Sequence, residues 1–137
     1  MKKGFTLIEL LVVVSLIGVL STLVIANLNS ARERARDAQR KSDLRNIQTA
    51  LRLYYNDNSE YPLATELPWG AVWTDGTNTY MNLLPKDPLT GVQDYSYTWV
   101  DDDNYILYAC LENKSDDKCV AVLDSVCASL CKYEVKP

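Results

Sequence analysis

Directly behind the short basic leader Met1-Lys2-Lys3-Gly4, the chain runs for 22 residues, Phe5 to Ala26, with a single charge, Glu9. As a helix rising 1.5 Å per residue, such a run reaches roughly 33 Å, enough to cross the hydrocarbon core of a bilayer. The run therefore predicts a membrane segment. An ionised glutamate inside it costs about 2.5–3.5 kcal/mol on insertion scales, so Glu9 is expected to be kept for a partner.

Residues Lys3-Gly4-Phe5-Thr6-Leu7-Ile8-Glu9-Leu10-Leu11-Val12-Val13 resemble the leader and cleavage site of the type IV pilins and of their relatives, the pseudopilins of type II secretion. The octamer around Gly4-Phe5 is the specific part of that likeness. A weaker likeness extends to Tyr61-Pro62 and resumes at Leu84-Pro85-Lys86-Asp87-Pro88, which resembles the major pseudopilin pattern. The resemblance implies cutting between Gly4 and Phe5 by a prepilin peptidase that also N-methylates the new amine on Phe5. It implies further partners: copies of the chain itself in a helical homopolymer, an assembly ATPase, an inner-membrane platform protein, and minor pilins or pseudopilins. Before assembly, the chain would be a single-pass protein of the cytoplasmic membrane with its head outside the cytoplasm. Afterwards it would lie in a cell-surface pilus or a periplasmic pseudopilus.

Cleavage would leave a cationic amine at Phe5, and the Glu9 of a neighbouring subunit would be the nearest anion in a medium of low dielectric. Removing one partner of such a desolvated pair costs about 3–5 kcal/mol, so the pair would select correctly staggered subunits. Phe5 and Glu9 are also four residues apart on one helix, and an intrachain pair is the alternative.

A secretory signal peptide ending at Val24-Ile25-Ala26 is a competing reading of the N-terminus. Against it, the apolar run is longer than a usual signal core, and helical periodicity continues beyond it. Arg32, Arg34, Arg36, Arg40 and Lys41 downstream outnumber Lys2 and Lys3 upstream, which by the positive-inside rule alone would put the C-terminal side in the cytoplasm. The resemblance implies the opposite orientation, and the cysteines support it.

With 137 residues, the chain has room for this helix and one head of roughly 80 residues, a size that often needs staples beyond its core. Charge divides it: residues up to Asn56 carry net +5, and Asp57 to Pro137 carry net −9. From Asn27 to Tyr55 there is no glycine or proline, and Ala, Arg, Gln, Leu and Lys favour continuing the helix. Leu28, Ala31, Ala35 and Ala38 form a narrow stripe of small residues, and Leu44, Ile47, Leu51 and Tyr54 form a wider apolar face suited to a sheet. Domain organisation follows: leader 1–4, membrane and filament-core helix 5–26, amphipathic helix 27–56, and a globular β head 57–137.

Six cations and three anions, Glu33, Asp37 and Asp43, lie between Arg32 and Arg45. They are expected either as a solvated helix face with pairs such as Glu33 with Arg36 and Asp37 with Lys41, or as a surface covered by neighbouring acidic heads. Without interleaved aromatics, nucleic-acid binding is not expected.

Ser59 to Asp87 reads as an ordered loop with a short turn of helix. The runs Tyr95–Val100 and Tyr105–Leu111, separated by Asp101-Asp102-Asp103-Asn104, form a hairpin, and Lys118–Leu123 a third strand. The expected fold class is therefore α+β, pilin-like, with a long N-terminal helix on a small antiparallel sheet of about three strands. If the second hairpin turns about Lys114-Ser115, Cys110 faces Cys119, leaving Cys127 and Cys131 to pair or stay free, with two other connectivities open. The spacing C-x8-C-x7-C-x3-C matches no usual zinc pattern, and histidine is absent, so disulfides and an oxidising compartment are favoured.

The resemblance also raises calcium, which type II pseudopilins hold in a glycine-rich loop before their last strands. The corresponding Glu112–Lys118 has no glycine, and a disulfide is expected in place of the metal. Asp101–Asp103 and Asp116-Asp117 offer hard oxygens but read more simply as solvated turns. No histidine, phosphate-cradling loop or metal set supports catalysis, so no cofactor and no enzymatic activity are expected. A structural filament subunit leads. The alternative is a monomeric membrane-tethered binding module presenting Trp69, Trp73 and Tyr80.

Overall fold

In the computed structural model, which describes residues 4–121, 127 and 131–137, the first element is one α-helix, α1, Leu7–Asn58. Thr6 starts it. The Thr6 hydroxyl accepts the Glu9 amide at 3.3 Å, while the Glu9 carboxylate accepts the Thr6 amide at 2.9 Å and the Thr6 hydroxyl at 2.8 Å. This is a reciprocal cap that satisfies donors otherwise orphaned at a helix start. Ser15, Ser21 and Thr22 donate their hydroxyls back to the carbonyls of Leu11, Ile17 and Val19 at 2.8, 2.7 and 2.8 Å. No hydroxyl in that stretch is then left unpaired, as an apolar medium requires.

At its other end α1 stops on Ser59, whose φ of 60° is left-handed and whose amide donates to the Tyr55 carbonyl at 2.7 Å. A left-handed conformation costs a residue with a Cβ roughly 1–2 kcal/mol. Ser59→Gly should therefore raise the midpoint of thermal unfolding, by roughly 1 kcal/mol of added stability after the entropy that glycine contributes to the unfolded chain.

The chain divides into a unit ending at Arg34 and a second from Ala35 to Pro137. In the first, every apolar side chain described from Phe5 to Ile25 is exposed. The mean hydropathy of its most apolar 18-residue window is 2.6, long and apolar enough to cross a membrane.

In the second unit Leu44, Ile47, Ala50 and Leu51 of α1 are buried and Tyr54 packs at their margin, as the periodicity predicts. Burying such side chains stabilises by about 1.5–3 kcal/mol each. They share one core with strands β3 (Ser96–Asp101), β4 (Asn104–Leu111) and β6 (Cys131–Val135). A short β5 (Val120–Ala121) completes an antiparallel sheet of order β3-β4-β6-β5. The β3–β4 hairpin turns at Asp101 to Asn104 as expected, with Tyr97 opposite Leu107 and Trp99 opposite Tyr105. The α+β, pilin-like class is thus what the chain adopts.

Two details differ from expectation. The run expected as a third strand pairs only through Val120 and Ala121, Val122 and Leu123 lying outside the described residues, and it does not lie beside β4. The place beside β4 is taken by β6, which makes five residue pairs with β4 against the two that β5 makes with β6. The longer ladder, burying Cys131 and Tyr133, wins the central position. Cys110 consequently faces Lys132, and Lys132 faces Val120. Two strand spacings, about 9.5 Å, exceed the reach of a disulfide, so the expected Cys110–Cys119 bridge is replaced. The bonds formed are Cys110–Cys127 and Cys119–Cys131, with Cα separations of 5.5 and 5.3 Å.

The segment from Ser59 to Asp87 holds a 3-10 turn, Ala64–Glu66, and a small hairpin that the sequence reading missed, β1 (Trp73–Thr74) with β2 (Thr79–Met81). Asp75 caps its turn by accepting the Thr77 and Asn78 amides, both at 2.7 Å, and Gly76 takes φ 92°. Tyr61-Pro62 is buried: the Tyr61 amide donates to the Asp102 carbonyl at 2.9 Å, and Tyr97 donates its hydroxyl to the Pro62 carbonyl at 2.8 Å.

Candidate functional site

Gly4, Phe5 and Thr6 precede the helix in non-helical backbone, and Phe5 is 81 % exposed. A Cβ placed on Gly4 would meet nothing within 4 Å. The Gly4–Phe5 bond is therefore open to a peptidase, four residues ahead of Glu9. Lys2 and Lys3 lie outside the described residues. Glu9 is the only carboxylate in the first turn of α1, and its Oε2 accepts both the amide and the hydroxyl of Thr6. It thus acts as a local cap in the uncut chain, a role visible in the Thr-x-x-Glu spacing but not drawn from it.

In the head, the basic cluster does not form the simple solvated face expected of it. Arg40 is fully buried. Its Nε and Nη2 grip Asp87 at 2.7 and 3.0 Å, and its Nη1 reaches Asp37 at 2.7 Å and Glu112 at 2.8 Å. Arg36 holds the same Glu112 through Nε at 2.7 Å and Nη2 at 2.5 Å. Asp37 also accepts the Glu112 and Asn113 amides at 3.0 and 2.8 Å. This clasp joins α1, the Leu84–Pro88 loop and the end of β4. Lys41 pairs with Asp116 rather than with Asp37. Arg32, Arg34 and Arg45 are exposed.

Burial opposes the Arg40 charge, but its hydrogen bonds to the Asp87, Glu112 and Asp37 carboxylates more than offset it and hold the guanidinium above its ordinary value. The hydrogen bonds from Arg36, working against partial burial and helped by Arg40, pull the Glu112 carboxyl from 4.5 down to about 2. A carboxylate with a depressed folded-state value adds stability that is fully present above about pH 4.5 and is lost as pH falls through about 2. The stability gap between the native chain and Glu112→Gln should accordingly be about 2–3 kcal/mol at neutral pH and close towards pH 2, as followed by thermal melts across pH.

In the turn from Glu112 to Lys118, the side-chain oxygens that could face an ion are engaged within the protein. Both Glu112 oxygens are taken by arginines, Asp116 accepts from Lys41 and from the Lys118 amide, and Asn113 Oδ1 accepts the Ser115 amide. Asp101 caps its own hairpin, and Asp103 accepts the Tyr55 hydroxyl. Among the described residues, no three carboxylate, cysteine or histidine side chains gather as a metal set. Of the three aromatics considered as a recognition surface, Trp73 and Tyr80 are instead buried, at 2 % and 8 % exposure. They pack on Tyr54 with ring centroids 5.5 and 5.1 Å away. Trp69 alone is partly open.

A basic leader, an open Gly-Phe junction and an uncovered apolar helix with one early carboxylate define a prepilin-type protein. In agreement, the family model of the prokaryotic N-terminal methylation motif matches residues 1–25. The type II secretion system core protein G of Vibrio cholerae is 37% identical over 105 residues, covering 70% of each chain. That of Pectobacterium carotovorum is 36% identical over 97 residues, covering 64% of this chain and 62% of the relative. That of Escherichia coli is 40% identical over 65 residues, 47% of this chain and 45% of the relative. The chain belongs to the family of the type II secretion system core protein G, the major pseudopilins. It spans less than two thirds of the length of the Pectobacterium relative. No solved structure matches it significantly.

Proposed function

We propose that the chain is the structural subunit of a pseudopilus-type filament. It is held in the cytoplasmic membrane as a precursor with its head outside the cytoplasm, cut after Gly4, methylated on the Phe5 amine, and polymerised through α1. The observation that carries this reading is the state of the first unit: from Phe5 to Ile25 each described apolar side chain lies exposed, and the only anion among them is Glu9. A lipid bilayer covers such a surface in the precursor, and the same helix of neighbouring copies covers it in a filament, where close packing supplies the contacts. Glu9 then meets the Phe5 amine of an adjacent copy and sets the register.

In this reading the chain works by assembling and carries no enzymatic activity and no cofactor. Its partners are copies of itself, a prepilin peptidase and N-methyltransferase, an assembly ATPase with its membrane platform, and minor pseudopilins. Intact mass of the mature protein tests it. Loss of Met1 to Gly4 with gain of one methyl group is expected, together with filaments that vanish from the cell when the protein is deleted. A mature protein that keeps its first four residues and never polymerises overturns it.

A further inference from the structure

Trp69 and Tyr95 wall a recess of about 350 Å³ on the head, closed by Lys86, Thr90 and Asp94. The two rings stand 6.2 Å apart with their planes at 56°, the Trp69 indole partly open and the Tyr95 ring largely covered. Its parts are held in place from behind. Tyr95 is buried and donates its hydroxyl to Asp43 at 2.7 Å. Thr90 donates to the carbonyl of Asp87 at 2.6 Å, and Asp87 is itself gripped by Arg40, so the hydroxyl is fixed with its lone pairs free to accept. Lys86 lies across Gly70, where an added Cβ would come within 2.5 Å of Cε. Only a residue without a side chain, here at φ 79°, leaves room for that stem.

Around this recess three polar groups lack a partner. Among the described residues, the Trp69 indole N–H, the Lys86 ammonium and the Asp94 carboxylate make no hydrogen bond or ion pair. We propose that this recess binds a neutral saccharide of one or two sugar rings. The volume lies at the lower end of the ~300–1,000 Å³ typical of small-molecule sites. One face of a sugar ring is a sheet of C–H groups, which suits the electron-rich face of the partly open Trp69 indole, and its edge is a row of hydroxyls, each both donor and acceptor. Hydroxyls can accept from Lys86 and Trp69 while donating to Asp94 and Thr90. With one charge of each sign the recess carries no net charge, so a charged ligand gains at one wall what it loses at the other. A purely apolar ligand would leave all three polar groups without partners.

The site stands on the head alone and does not depend on polymerisation. Saturation-transfer NMR tests it, with the full chain in a detergent that has no sugar head group and with maltose, cellobiose and N,N′-diacetylchitobiose as probes. Saturable transfer from at least one disaccharide is expected, weakened roughly ten-fold in Trp69→Ala, where the stacking surface is lost. Because Trp69 packs at the edge of the core, Asp94→Asn and Lys86→Met, at exposed positions, carry the test if Trp69→Ala does not fold. Each should also weaken binding several-fold. No transfer from any of the three, transfer unchanged in both exposed-site variants, or displacement by a short acidic or basic peptide overturns the assignment.

Discussion

Arg40→Met should weaken the head by about 3–5 kcal/mol, a large part of the stability of a domain this size. Methionine fills much of the space, so the loss is electrostatic. Asp87 and Asp37, each 3 % exposed, would be left buried without the cation that neutralises them. Asp37 keeps the two backbone amides of Glu112 and Asn113, and Glu112 keeps Arg36, whereas Asp87 keeps, among the described residues, only the Leu89 amide at 2.8 Å. The stranded charge is therefore chiefly Asp87. Two comparisons follow. Arg40→Met combined with Asp87→Asn should recover part of the loss, since removing both members of a buried pair is far milder than removing one. Arg36→Met, at a side chain 28 % exposed, should cost much less, on the order of 1 kcal/mol. Urea unfolding of the detergent-solubilised full chain, read by tryptophan fluorescence, measures all three. A loss below 1 kcal/mol for Arg40→Met would show that water reaches the clasp and screens it.

That clasp marks where sequence reasoning stops. Its helix side is written locally, since Asp37 and Arg40 lie three apart, but Arg40 meets Asp87 and Glu112 across 47 and 72 residues. Charge spacing along a helix sees only neighbours within a turn, so Arg40 reads as one more solvated cation until the fold buries it. The same limit applies to the sheet. The β3–β4 hairpin is legible because two alternating runs flank an acidic turn. By contrast, β6 is five residues long and buries only Cys131 and Tyr133 deeply, too short a pattern to stand out. Cysteine connectivity depends on strand order, so missing β6 also redirected both bridges. Trp73 and Tyr80 read as exposed because the two- and three-residue strands that bury them have no period to detect. The helix was the most legible element, since a 22-residue, largely apolar run followed by good helix formers admits few other structures.

Glu9 carries two roles that one substitution cannot separate and a second can. Glu9→Leu removes both the acceptor that caps Thr6 and the anion available to a neighbouring Phe5 amine. Glu9→Gln keeps a side-chain carbonyl able to accept the Thr6 amide, as glutamine does in this capping arrangement, but carries no charge. If Glu9 serves only as a cap, worth about 1 kcal/mol, the glutamine variant should assemble normally. If it pairs with the amine of the next subunit, both variants should fail alike. Leaving that amine uncompensated in a medium of low dielectric costs about 3–5 kcal/mol, which lowers the affinity of each added subunit by roughly 10²–10⁴. We expect the second outcome: Glu9→Gln and Glu9→Leu are both cut after Gly4, both keep a folded head, and neither gives filaments. Filaments of normal abundance from Glu9→Gln would reduce Glu9 to the start signal of its own helix and leave subunit register to packing alone.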